Sequence, residues 1–485
     1  MTSRPDSRPA LLPTPGVQPR LAPGLRRGLL CATLLFATLL FASPTGDTAP
    51  KRRPTAAATG ESASPPVPEG PVLMGPFLRD LARVGRKSEV TVVFRTVDEV
   101  MAEVLYRVPG EEDVRLTQEE PSYHHVFKLK DLEPDKIYVY RLVVDGKELP
   151  GGSFTTPPKP ETPVLIGVYG DTRKYDGPHA EVCAGIVRRS VDLLVHTGDF
   201  VHDGYKMSDW ITFFRIEREN LRSTPMFPVI GNHDDRGKMG KWWFETLFGP
   251  NAHFRSITYG SVHLVILSSE GQFREQARWL EEDLRRMRAE KPQIHYVLAF
   301  IHHGPWGTGR FNGNTWVRHH FVPILRKYGP AIVFSGHEHD YERGVVDGFP
   351  FYVTGGGGAV LEGRRCRGPC PKWSHIWKSI YHYLIVEAAP GLLRICAYYP
   401  SGLEVEPCIS YPMPERQARD EQEEGDAGAP FSEEGEVPPS EEPPPVSHDD
   451  PQMREGGDYT VPEPPLQKLP PHELPPEARK SRKGR

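Results

Sequence analysis

Five short stretches of the sequence end an apolar run in side chains that bind metals. They are Gly170-Asp171, Gly198-Asp199, Gly231-Asn232-His233-Asp234, Ile301-His302-His303-Gly304-Pro305 and Gly336-His337-Glu338-His339. Carboxylates, an amide oxygen and imidazoles gathered in one crevice suit first-row divalent or ferric ions. On extended chain, residues i and i+2 point the same way, so His337 and His339 can converge on one object, which a helix would not allow. Each stretch alone reads equally well as a turn or a helix cap. All five, in order and each at the end of a strand-like run, read as a ligand set.

The elements that must position these groups alternate from Pro163 onward. Strand-like runs PVLIGVY, VDLLVHT, PMFPVI, IHYVLAFI and AIVFS are separated by the helical segments HAEVCAGIVRRS, SDWITFFRIERENL, REQARWLEEDLRRMRAEK and WVRHHFVPILRKYG. A hairpin falls in FRSITYGSVHLVILSSE, and a last β region covers FPFYVTGGGGAV and YHYLIVEAAPGLLRICAYYP. This is an α/β pattern, and in an open α/β sheet the carboxyl ends of the strands meet at one crevice. Upstream, residues 72–157 alternate polar and apolar in runs such as EVTVVFRTVD and KIYVYRLVVDG, the pattern of a small all-β antiparallel sandwich. The run Gly355–Gly358 lacks the Lys-Ser/Thr and helix start of a phosphate loop, so close backbone packing near the crevice is expected of it.

A length of 485 residues leaves room for two domains plus tails, and a net charge of -5 without a long basic stripe excludes a nucleic-acid partner recognised by bulk charge. Arg26 and Arg27 precede an apolar run from Leu29 to Ala42, too short for an ordinary spanning helix. Residues 1–43 therefore read as a secretory signal, followed by a Pro/Ala-rich linker over 44–71. The expected location is secreted, periplasmic or cell-surface, and an uncleaved signal would anchor the chain to the membrane. Cys366, Cys370, Cys396 and Cys408 are placed for local pairing after export, with the connectivity open and a structural zinc site as the rival that no CxxC spacing supports; Cys183, on a predicted helix, reads as core. The Pro/Glu-rich segment 412–485 reads as a disordered tail, and its basic end, KSRKGR, offers a contact to a membrane or wall polymer.

The ordered motifs resemble those of the calcineurin-like metallophosphoesterase superfamily and, within it, the purple acid phosphatases, to whose closing motif GHEHDYER is especially similar. The resemblance covers about residues 163 to 400. It implies a metallophosphoesterase domain over 163–411, a β-sandwich flanked by helices in four αββα layers. The upstream piece LKDLEPDKIYVYRL resembles an immunoglobulin or fibronectin type III-like module, with Leu132, Pro134 and Tyr138 placed as in a tyrosine corner, and matches the N-terminal domain of the larger phosphatases.

Carried over position by position, the resemblance implies that Asp171 binds a first metal, Asp199 bridges two and His339 completes the first site. Asn232, His303 and His337 would hold the second, with His303 preferred for its His-x-Pro spacing and His302 as the fallback. Two positions depart from the pattern. Arg173 stands where many members have a ligating histidine, and an arginine stays protonated and cannot ligate. His202 stands where purple acid phosphatases have a ligating tyrosine, so His202 is the expected extra donor, and no tyrosinate colour is expected. Arg173 would then clamp the substrate phosphate, and His319 and His320 resemble a substrate-facing pair. His233 is the expected general acid, with Asp234 orienting its ring.

The implied cofactor is a pair of metal ions, iron with zinc, manganese or a second iron. Such a pair acidifies a shared water into a nucleophile, and the implied activity is exported phosphomonoester hydrolysis. Competing readings are a phosphodiesterase acting on cyclic nucleotides, phospholipids or nucleic acid, and an inert cell-surface binding protein. The intact ligand set counts against the second.

Overall fold

The computed structural model describes residues 70–412 except residue 367. The expected signal and nearly all of the linker and tail lie outside the described residues. No described helix is long and apolar enough to cross a membrane.

The first seven strands are β1 (Val72–Val84), β2 (Lys87–Val100), β3 (Ala102–Arg107), β4 (Val114–Thr117), β5 (Ser122–Leu132), β6 (Ile137–Val144) and β7 (Lys147–Thr155). They form two antiparallel sheets, ordered β1-β2-β5 and β4-β3-β6-β7. Val92, Phe94, Phe127 and Leu129 of one sheet share a core with Val104, Leu142 and Phe154 of the other. The Glu133 N–H donates to the Tyr138 hydroxyl at 3.0 Å.

The second part runs β8 (Val164–Tyr169), α1 (Asp176–Val187), β9 (Leu193–His196), α2 (Met207–Ile216), α3 (Arg218–Leu221), β10 (Met226–Pro228), α4 (Gly237–Phe248), β11 (Arg255–Tyr259) and β12 (Val262–Ile266). It continues with α5 (Phe273–Glu290), β13 (Tyr296–His303), α6 (Thr315–His320), α7 (Val322–Tyr328), β14 (Ala331–Gly336), β15 (Tyr341–Val346), β16 (Phe349–Thr354), β17 (Ser374–Lys378), β18 (Tyr383–Ala389), β19 (Leu392–Tyr398) and β20 (Ile409–Pro412). Two sheets result, β10-β9-β8-β18-β19-β20 and β11-β12-β13-β14-β16-β15-β17.

Their central strands are apolar on both faces because both faces are covered. Leu193 and Val195 pack with Leu298 and Phe334 between the sheets, whereas Leu194 packs outward with Val182, Ile186 and Phe213 of the first helices. On the second sheet Leu298 and Phe300 face inward, and Val297, Ala299 and Ile301 face Leu280 and Leu284 of α5 and Leu325 of α7. This is the four-layer αββα arrangement. The single helix expected over SDWITFFRIERENL breaks into α2 and α3 at Glu217, and that over WVRHHFVPILRKYG into α6 and α7 at Phe321, with Pro323 in the first turn of α7. Helix α4 forms where the glycines of GKMGKWWFETLF mask the pattern.

The two parts share a core. Phe77 of β1 lies 4.5 Å from Phe214 of α2 and 6.0 Å from Phe248 of α4, centroid to centroid, and Arg95 stacks 5.1 Å from Trp243. Asp80 accepts from both Arg79 and Arg255, and the Tyr140 hydroxyl donates to the Arg222 carbonyl at 2.8 Å.

Candidate metal centre

Each expected donor lies where a strand ends. Strand β9 pairs in parallel with β8 and β10, and β13 with β14, so the donors leave carboxyl ends. They come from two sheets facing each other, not from one open sheet, and the edges meet where the His337 N–H donates to Asp171 Oδ2 at 3.0 Å. The chain turns sharply at these ends. Asp171, Asp199 and His337 have φ of 56°, 57° and 69°, a left-handed region that residues other than glycine enter rarely and at a cost. Space is equally tight: a β-carbon on Gly336 would stand 2.3 Å from Asp171 Oδ2, which is why glycine precedes His337. The glycine run packs against the same place, the Gly357 N–H donating to Gly170 O at 2.9 Å.

The fallback donor of the second expected site, His302, lies against Asn232 and Asp199. Its Nδ1 lies 2.8 Å from the Thr197 carbonyl, which can only accept, so Nδ1 carries a proton. In a neutral ring Nε2 is then a bare lone pair, and it faces two oxygens, Asn232 Oδ1 at 3.2 Å and Asp199 Oδ1 at 3.3 Å. A cation between them resolves the conflict. Separations of this size are the edges of a coordination shell with bonds of about 2.0–2.2 Å. His302, His303 and His337 also lie close enough together to hold one ion.

His303 is likewise held through Nδ1, and its Nε2 is buried without a hydrogen-bond partner among the described residues. Its Nδ1 meets Ser269 Oγ at 2.8 Å and the Glu270 carboxylate at 3.0 Å, and its ring lies 3.8 Å from that of His337. Burial alone would lower its pKa, but Glu270 holds it above the ordinary imidazole value. Strand parity does not separate the pair, because the pairing of β13 with β14 shifts register between Phe300 and His303.

The first expected site gathers Asp171, Asp199 and His339, all buried and close enough to hold an ion. His339 Nδ1 donates to the Val360 carbonyl at 2.7 Å, which turns Nε2 toward Asp171 Oδ1, 3.5 Å away. Arg173 enters the same space: its Nε lies 3.0 Å from Asp199 Oδ2, Nη2 3.2 Å from His339 Nε2 and Nη1 3.4 Å from His202 Nδ1. Burial, and then Arg173, push the His339 pKa down to about 4. Burial opposes the Asp199 charge, but the Arg173 guanidinium and the backbone N–H of His233 help to hold its carboxyl well below the usual carboxylate range.

His233 lies beside this pair of sites, its backbone N–H on Asp199 Oδ1 at 3.0 Å. Asp234 does not orient its ring. That carboxylate accepts the backbone N–H groups of Asp199, Phe200, Val201 and Gly231, tying two strand ends together, and a buried carboxylate surrounded by amides has no reason to leave them. The His233 ring is oriented instead by Nδ1 donating to the His202 carbonyl at 2.7 Å, and Arg236 Nη2 reaches Nε2 at 3.3 Å. His319 is exposed, and His320 bonds the Trp316 carbonyl and stacks on that indole. Among the described residues, neither hydrogen-bonds a donor of the cluster.

Three participants carry no sequence signal of their own. Glu270 and Arg236 act through His303 and His233. Glu338, between the two motif histidines, accepts the backbone N–H groups of Arg310, Phe311 and Asn312 at 2.6, 2.7 and 3.1 Å and so shapes the loop over the site. A period-of-two reading of GHEH, which sends Glu338 away from its neighbours, is the one hint of it.

The Calcineurin-like phosphoesterase family model matches residues 165–341, a span that takes in every donor from Asp171 to His339. Purple acid phosphatase 18 of Arabidopsis thaliana is 28% identical over 287 residues, 52% of this chain and 62% of its own length. A purple acid phosphatase of Glycine max is 26% identical over 317 residues, 54% of this chain and 66% of its own. The chain thus spans less than two thirds of the length of either relative. The structure of purple acid phosphatase PPD1 from yellow lupin (Lupinus luteus) seeds matches with a TM-score of 0.60 at 18% identity, covering 69% of this chain and 73% of that one. PhoD matches with 0.54 at 11% identity, covering 71% and 94%. At such identities the structural likeness is one of fold.

Proposed function

We propose that this chain, a member of the calcineurin-like phosphoesterase superfamily similar to its purple acid phosphatases, is a metal-dependent phosphoesterase acting chiefly on phosphate monoesters. The observation that carries the reading is His302 Nε2 set against Asn232 Oδ1 and Asp199 Oδ1 at 3.2 and 3.3 Å, with Asp171, Asp199 and His339 gathered beside it. Asp199, Asn232, His302 and His337 would hold a metal, which would supply Lewis acidity toward a phosphoryl oxygen and water. Imidazole with mixed oxygen donors accepts iron, zinc or manganese.

The chain's own residues handle charge and protons. Transfer of a phosphoryl group builds negative charge on its oxygens and on the leaving oxygen, so the site needs fixed positive charge and a proton donor. Arg173 and Arg236 flank His233 and Asp199 with permanent positive charge. His233 keeps Nδ1 on the His202 carbonyl, leaving Nε2 as the atom that delivers a proton to the leaving oxygen. Burial pushes the His233 pKa well below the ordinary value, so the imidazole is neutral in the free chain. A bound phosphate ester brings the negative charge that raises it again.

Export through the signal over 1–43 completes the proposal. The disulfides Cys366–Cys370 and Cys396–Cys408 support it, since such bonds persist in oxidising compartments.

The test is turnover of p-nitrophenyl phosphate and of its bis ester by purified protein of measured metal content. We expect faster hydrolysis of the monoester and loss of both activities on chelation. A metal-loaded protein that turns over neither ester overturns the proposal, and one that prefers the bis ester overturns its monoester part.

A further inference from the structure

The two donor sets differ in what satisfies them. At the second, His302 Nε2 faces Asn232 Oδ1 and Asp199 Oδ1. At the first, the three nitrogens of one buried guanidinium each take a group expected to hold the first metal: Arg173 Nε takes Asp199 Oδ2 at 3.0 Å, Nη2 takes His339 Nε2 at 3.2 Å and Nη1 takes His202 Nδ1 at 3.4 Å. His339 donates through Nδ1 to Val360, so the nitrogen that Arg173 meets is the one a metal would need. Arg173 is 5% exposed and ion-paired with a carboxylate that is 0% exposed. Pulling the guanidinium out would leave Asp171 and Asp199 side by side and buried without that positive charge, a costly arrangement.

We propose that Arg173 is the built-in cation of the first donor set and that the chain binds a single exchangeable metal, at Asp199, Asn232, His302 and His337. A guanidinium keeps its charge at every working pH and donates in a planar fork suited to carboxylate and phosphate. It accepts no lone pair, so it contributes charge and hydrogen bonds where a second metal would contribute Lewis acidity as well. The first set is thereby independent of metal supply. This inference rests on the metal-dependent reading above and replaces the expected pair of metals with one metal and one arginine.

The experiment counts metal. Protein stripped by chelation is titrated with Zn²⁺, and stoichiometry is read by calorimetry and by elemental analysis after gel filtration. We expect one zinc per wild-type chain, one in Arg173→Lys, which retains a cation, and two in Arg173→Ala and in Arg173→His, which supplies an imidazole. Two zincs in the wild type, with turnover intact, overturn the inference and leave the proposed function standing. One zinc in both Arg173→Ala and Arg173→His removes Arg173 from the explanation. No zinc in the wild type overturns the proposed function itself. Should the variants fail to fold, the wild-type count decides alone.

Discussion

The ring of Phe311 stands 4.1 Å from the imidazole of His337, centroid to centroid and tilted by 37°. Phe311 is 40% exposed, and the loop carrying it is held by the three backbone N–H groups that Glu338 accepts. An aromatic face fixed over a donor of the site is a platform for the leaving group. Removing it should cost an aromatic ester about 1 kcal/mol of binding, roughly fivefold in KM. Phe311→Ala is expected to raise KM for p-nitrophenyl phosphate and to leave that for glycerol phosphate nearly unchanged. Equal effects on the two esters would mean that the ring serves the loop alone.

The neighbouring pair His302 and His303 gives a second prediction. Both rings are held through Nδ1, His302 by the Thr197 carbonyl and His303 by Ser269 and Glu270; His302 Nε2 faces Asn232 and Asp199, and His303 Nε2 is buried without a hydrogen-bond partner among the described residues. His302→Asn should abolish stoichiometric metal binding. His303→Asn, which disturbs a supporting contact of the His337 ring, should weaken affinity by about 10–100-fold and keep the stoichiometry. Metal titration checks both, and the reverse order would restore the ligand role that the His-x-Pro spacing suggests for His303.

That pair also marks where sequence reasoning stops. The strand-end motifs were legible because each is local: an apolar run, a glycine in all but the Ile301-His302-His303 stretch, then a donor. The choice between His302 and His303 was not, because the register of β13 shifts between Phe300 and His303 and strand parity does not carry across to the pair. Nor was Arg173. Its spacing from Asp171 shows that it cannot ligate, but its insertion among Asp199, His202 and His339 depends on three strand ends from two sheets meeting, contacts separated by 26 to 166 residues in the chain. Asp234 misled for the same reason: adjacency to His233 suggested a ring partner, while the free amides of a neighbouring strand end were closer in space.

His233 should separate chemistry from metal binding. Its ring is placed by the His202 carbonyl and by Arg236, and its nearest approach to Asp199 Oδ2 is 3.8 Å. His233→Asn is expected to retain metal content and to lose about 10²–10⁴-fold in kcat. The loss should be smaller for p-nitrophenyl phosphate, whose leaving group needs little protonation, than for an alkyl ester. Parallel loss of metal and turnover would make His233 a ligand or a scaffold and not the proton donor.

Acid should weaken the all-β module through His125. The ring is fully buried, stacked on Phe94 at 4.5 Å, bonded to Thr96 Oγ1 at 2.9 Å and Gln118 Oε1 at 2.7 Å, with Arg95 and His124 nearby. Burial, and then Arg95, push its pKa down to about 4. The unfolded chain takes up a proton near the ordinary value of about 6.5 while the folded chain stays neutral. Stability from this group is therefore full above that value and is lost as pH falls toward about 4. At about 1.4 kcal/mol per unit, His125 alone should remove about 2 kcal/mol between about pH 7 and pH 5. Urea midpoints of wild type and His125→Gln should converge as pH drops, and parallel lines would exclude His125 as the cause.

Phe77 tests whether the module is separable from the domain that carries the metal centre. Its ring is buried between Phe214 and Phe248, and Met74 and Val93 join the same core. One strand of the module thus completes the outer layer of α2 and α4, and α4 follows directly on the strand end that holds Asn232 and His233. Truncating a buried phenylalanine costs about 3–5 kcal/mol when the cavity stays open. Phe77→Ala should therefore lower the stability of the whole described chain in one transition, visible at the same urea midpoint by module tyrosine fluorescence and by retention of bound metal. Two transitions, with metal kept after the module has melted, would show instead that the sandwich is an appendage whose contacts add nothing to the centre.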